Sequence, residues 1–97
     1  MTEELVRRRL FREVNERIRD VNLRFGTVSP EYQVLCECGR PACVERVYTP
    51  AGVYEELRLS AGVFLVAPGH VRAGSERVLA ETAEYVVVAA GGAAVAA

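Results

Sequence analysis

Between residues 3 and 25 the apolar positions Leu10, Phe11, Val14, Ile18, Val21 and Phe25 recur at spacings of three and four. That period predicts one amphipathic helix over residues 3–25. Charge fills its other faces. Glu3, Glu4, Glu13 and Asp20 each stand four places before an arginine (Arg7, Arg8, Arg17 and Arg24), the favourable order for helical ion pairs. Gly26 supplies the stop. The apolar stripe is expected to bury against the chain's own sheet. Phe11, Val14, Ile18, Val21 and Phe25 also match two a/d heptads, which leaves a homodimer contact through this helix open.

Beyond Gly26 the period changes. Tyr32-Gln33-Val34-Leu35 is β-prone and follows the breaker Ser29-Pro30, while Val44-Glu45-Arg46-Val47-Tyr48 alternates apolar and polar as a half-buried strand does. Thr49-Pro50 predicts a helix start, with Thr49 as N-cap and Pro50 at the first helical position. Val53, Tyr54 and Leu57 then give a short helix ending near Leu59, with Glu55 and Glu56 on its wet side. Val63-Phe64-Leu65-Val66-Ala67 has a buried-strand signature, and Pro68-Gly69-His70 turns the chain. Residues 76–82 suit either a short helix or a strand and are read as strand. Tyr85-Val86-Val87-Val88 is a strand, and residues 89–97 form an Ala/Gly/Val tail expected to fray.

Composition narrows the class. The 97 residues suit a single domain with a modest core, which a metal staple would help to stabilise. Hydrophobic residues at 51% and charged residues at 26% fit a globular domain and not general disorder. A net charge of −1 gives no overall attraction to nucleic acid or to an anionic membrane. The helix holds seven arginines against five acids, so positive charge gathers there, most densely at Arg7, Arg8, Arg9 and Arg12. No apolar run is long enough to span a membrane, and the charged N-terminus does not resemble a signal peptide. Three cysteines without an export signal disfavour a disulfide framework. The expected location is the cytoplasm.

The chemistry concentrates in Cys36-Glu37-Cys38-Gly39-Arg40-Pro41-Ala42-Cys43. Three thiolates converging on a Gly/Pro turn can hold one zinc ion, and a closed structural site takes four ligands. His70 is the only histidine in the chain, so the economical site is Cys36, Cys38, Cys43 and His70. A carboxylate, with Glu37 and Glu45 nearest in sequence, or a water molecule are the alternatives for the fourth position. The fold expected is therefore α+β: a long N-terminal amphipathic helix packed on a small, mainly antiparallel sheet with a zinc knuckle at one edge.

No phosphate loop, nucleophile elbow or histidine-based hydrolase motif is present, so the chain does not read as an enzyme. The expected role is a zinc-binding module with a non-enzymatic interaction or regulatory function, its partner another protein. Two alternatives stand beside it. One is a nucleic-acid binder using Arg7, Arg8, Arg9 and Arg12; the other is a zinc–thiol redox sensor.

The run from Phe11 to Val88 resembles a family of small uncharacterised actinobacterial proteins. The similar pieces are Asn15-Glu16-Arg17-Ile18, Phe25-Gly26, Cys36-Glu37-Cys38-Gly39 and Cys43-Val44-Glu45-Arg46-Val47, followed by Tyr54-Glu55, Phe64 to His70, Glu76-Arg77-Val78 and Tyr85 to Val88. The Leu59-Ser60-Ala61-Gly62 segment and the tail depart from that pattern without touching the proposed site. The resemblance carries no assigned activity. The knuckle alone is similar to the post-SET zinc motif of histone methyltransferases, which implies three cysteines with a remote fourth ligand and nothing about methyl transfer.

Overall fold

Helix α1 spans Glu3–Arg24 and is followed by the strands β1 (Glu31–Leu35) and β2 (Arg46–Pro50), the short helix α2 (Ala51–Leu57), and the strands β3 (Val63–Val66), β4 (Glu76–Glu81) and β5 (Val86–Ala90). The structure is a computed structural model that describes residues 3–24, 31–72 and 74–90. Phe25, Gly26 and the tail from residue 91 lie outside the described residues.

The α+β class is as expected, but the strands form two sheets instead of one. β1 and β2 make an antiparallel hairpin, with Leu35 opposite Arg46 and Glu31 opposite Pro50. β3, β5 and β4 form a second antiparallel sheet in that order. Residues 76–81 are thus strand, as expected, with an irregularity in pairing between Val78 and Ala80. The core gathers Tyr32, Val34, Val47, Tyr54, Leu57, the whole of β3, and Val86 to Val88 of β5, together with Cys36 and Cys38. Alternation explains β1, where Tyr32 and Val34 point inward and Glu31 and Gln33 outward. β3 is buried along its full length, which accounts for its unbroken apolar sequence.

Three local expectations need correction. Pro50 closes β2, and α2 starts at Ala51 without a side-chain cap; the Thr49 hydroxyl donates to the Pro50 carbonyl instead. Strand β2 begins at Arg46, with Val44 and Glu45 exposed ahead of it. Ala89 is buried within β5 rather than starting the tail.

The larger correction concerns α1. Its apolar stripe faces the sheets only in part: Leu10 and Val21 are each more than half exposed, while Phe11, Val14 and Ile18 are half-buried and only Ile18 packs against the core. Only Arg8 and Asn15 of this helix are fully buried. The helix buries polar side chains because the Glu37 carboxylate and the Leu35 and Glu37 carbonyls lie beneath it, beside the Phe64 ring. Arg19 Nε donates to Glu55 Oε2 at 2.5 Å, and Arg58 Nε donates to Glu16 Oε1 at 2.8 Å, tying the helix to α2 and its end. These hydrogen bonds hold the Glu55 and Glu16 carboxyls below their ordinary range. Glu4 and Arg8, expected to pair with each other, reach across instead to Arg72 and Glu76. Leu10→Ser and Val21→Ser should accordingly shift stability by less than about 0.5 kcal/mol, as exposed positions do. Thermal melts of the two variants check this; a buried stripe would lose several times more.

Candidate metal centre

The knuckle is a sharp chain reversal joining the two sheets. Cys36 N–H donates to the Glu45 carbonyl at 2.8 Å, extending the β1–β2 ladder by one step. Glu37 N–H then donates to the Leu65 carbonyl at 2.8 Å, so the next residue lies along the free edge of β3. Gly39 follows at φ +80° and Ala42 at φ +65°. Glycine takes such a backbone freely, whereas alanine is held there at a cost. The Cys43 N–H closes the reversal on the Arg40 carbonyl at 3.2 Å.

His70 arrives from the second sheet. After β3, Pro68 and Gly69 (φ +86°) occupy the central positions of a turn closed by His70 N–H on the Ala67 carbonyl at 3.0 Å. Proline followed by a positive-φ glycine is the type II arrangement. The turn brings the imidazole against the knuckle. Its Nδ1 lies 3.5 Å from Cys36 Sγ and 3.6 Å from Cys43 Sγ. Cys36, Cys38, Cys43 and His70 together form a cluster whose four donor atoms all lie within 4.8 Å of one another.

Three of the four donors are oriented by a neighbour outside the cluster. His70 Nε2 is 2.6 Å from Glu45 Oε2, so Nε2–H donates to the carboxylate and the Nδ1 lone pair is directed at the sulfurs. The Ala67 N–H donates to Cys36 Sγ at 3.2 Å and the Arg40 N–H to Cys38 Sγ at 3.5 Å. Burial pushes the Cys36 thiol well above its ordinary range, opposed by the Ala67 N–H and reinforced by the neighbouring Cys38 sulfur. The Cys43 thiol is raised as well, first by burial. A cation among the sulfurs would favour the thiolate form against that burial. The four residues are thus compatible with a metal site.

The two carboxylates considered as oxygen ligands have other positions. Glu45 supports His70 from outside the cluster. Glu37, between two of the cysteines, turns its fully buried side chain away from them into the protein. Its carboxylate accepts from Arg12 Nε at 2.9 Å, Arg12 Nη2 at 3.0 Å, Asn15 Nδ2 at 2.9 Å, Leu65 N–H at 3.0 Å and the Tyr54 hydroxyl at 3.3 Å. Arg12 also donates to the Val63 carbonyl, and its guanidinium lies over the Phe64 ring at 5.2 Å. Burial lowers the Arg12 pKa, but hydrogen bonding and charge from Glu37 outweigh it, and the net direction is upward.

Of the four arginines considered as a partner surface, Arg8 and Arg12 therefore point inward. Arg8 is 4% exposed, donates to the Glu37 carbonyl at 2.9 Å and pairs with Glu76. Arg9 is exposed and Arg7 half-buried. Sequence reasoning missed Glu37, Asn15 and Tyr54 as one buried network. The available signal was the acid placed between two cysteines, where only one side of the chain can face the metal donors.

Among the described residues no helix is long and apolar enough to cross a membrane. No protein-family model matches the chain, and no curated protein or solved structure matches it either.

Proposed function

We propose that the chain is a small zinc-binding module in which zinc closes the knuckle onto the His70 turn and in which the metal's role is structural. The observation that carries this reading is the spacing of the donors. A tetrahedron with Zn–S of about 2.3 Å and Zn–N of about 2.05 Å sets sulfur and nitrogen about 3.6 Å apart. His70 Nδ1 stands 3.5 and 3.6 Å from two of the sulfurs. Three soft sulfurs with one imidazole suit zinc better than a hard, oxygen-seeking cation.

Four protein donors leave no open coordination position for substrate, which favours an interaction or regulatory role over catalysis. The exposed apolar positions Val6, Leu10 and Val21 on α1 support a protein partner. The nucleic-acid alternative has less support, because Arg8 and Arg12 are taken up inside the protein. The redox alternative is disfavoured by the full burial of Cys36 and Cys38, which restricts oxidant access. Elemental analysis of protein purified without chelator should find about one zinc per chain; metal-free protein would contradict the reading.

His70→Ala should weaken zinc affinity by at least about tenfold, the scale reached even by groups that merely orient a ligand. His70→Cys should largely restore it, since a thiolate is an equally good tetrahedral donor. Competition against a chromophoric chelator measures both. Unchanged affinity in His70→Ala would remove the histidine from the site.

A further inference from the structure

Helix α1 lies directly on the knuckle. A Cβ at Gly39 would come within 2.7 Å of Arg8 Cγ and 2.8 Å of the Glu4 carbonyl oxygen, so this glycine is what permits the helix to approach. Glu37, covalently between Cys36 and Cys38, receives Arg8 on its carbonyl and Arg12 and Asn15 on its carboxylate. Asn15 also brackets Leu35, donating to its carbonyl at 2.9 Å and accepting from its N–H at 2.8 Å. The helix is therefore anchored to the backbone of the two residues flanking Cys36.

Two further polar contacts hold it: Arg8 pairs with Glu76 of β4, and Arg12 donates to the Val63 carbonyl of β3 and lies over the Phe64 ring. Its apolar stripe is at most half-buried, and Ile18 is the one apolar α1 residue packed against the buried core cluster, as a partly buried neighbour. The ion pairs to Glu55, Glu16 and Arg72 are partly exposed, and pairs of that kind add little. The core cluster itself is built from β1, β2, α2, β3 and β5 with two knuckle cysteines. The sheets can consequently keep their packing when the helix does not.

From this arrangement we propose that α1 is a metal-gated arm. Zinc in the Cys36, Cys38, Cys43 and His70 site fixes the position of Glu37 and thereby docks the helix; loss of zinc lets the knuckle relax and releases α1 as a segment while the sheet core persists. The proposal rests on the zinc reading above and adds a regulated element to it. By linkage the effect is reciprocal: whatever loosens the helix must weaken the metal. Release would bare the Arg8, Arg12 and Asn15 face of the helix together with Glu37, so metal state becomes a change in exposed surface.

Hydrogen exchange of the full chain tests this, measured well below the melting transition with zinc bound and again after removal by a chelator. On zinc removal the amides of α1 should lose at least about tenfold more protection than those of β3 and β5. Equal loss throughout, or unchanged α1 protection in a chain shown to bind and release zinc, would overturn the gating. A chain that takes up no zinc would instead fail the zinc reading itself. Asn15→Ala, which touches no metal ligand, should lower zinc affinity at least about fivefold, the lower end of ordinary coupling between sites. If that variant does not fold, Arg8→Ala gives the same readout, because it removes the helix's bond to the Glu37 carbonyl and leaves the knuckle sequence unchanged. Unchanged affinity in the folded variant would overturn the proposal.

Discussion

Replacing Glu37 with alanine is expected to lower stability by about 3–5 kcal/mol, the range for breaking a buried charge pair by removing one partner. The substitution deletes an acceptor that serves Arg12, Asn15, Tyr54 and the Leu65 N–H at once. It leaves the Arg12 guanidinium, 17% exposed, without its counter-charge. For a domain of this size that corresponds to a fall in melting temperature of at least about 12 °C. Glu37→Gln keeps the shape but offers one acceptor oxygen where two are used, so most of the loss should remain. A shift below about 4 °C in Glu37→Ala would mean that the helix does not depend on this residue.

Cys38→Ser should destabilise the protein by more than the roughly 3 kcal/mol that bounds most substitutions, because loss of a metal belongs to the short list of larger effects. The site has no counterpart in the unfolded chain, so zinc binding free energy becomes folding free energy. A strong chelator added to the unmodified protein should lower the melting curve in the same direction. If neither treatment moves the melting curve, Cys38 is an ordinary buried residue whose Sγ merely accepts from Arg40 N–H.

The metal cluster was legible because the chemistry left few choices. Three cysteines within eight residues need a fourth donor, and His70 is the only imidazole the chain offers. Pro68-Gly69 announced the turn that presents it. The strands read well at β1 and β3. A period of two marks a strand with one wet face, and a short unbroken apolar run marks a strand covered on both. The orientation of α1 was not legible. Periodicity reports which face is apolar and assumes that this face is the one buried. Here a buried carboxylate at Glu37 selects arginine and asparagine for the inner face, and no pattern within the helix reveals an acid more than ten residues beyond its end. Thr49-Pro50 misled for a related reason. The pair has good capping chemistry, but the pairing of Tyr32 with Thr49 and Glu31 with Pro50 keeps both residues in the hairpin.

X-ray absorption at the zinc edge of the purified chain tests the closed site most directly. Three sulfur neighbours at about 2.3 Å and one nitrogen at about 2.0–2.1 Å are expected, with the nitrogen shell lost in His70→Ala. A shell dominated by light atoms, or an unchanged nitrogen shell in His70→Ala, would contradict a site formed by Cys36, Cys38, Cys43 and His70.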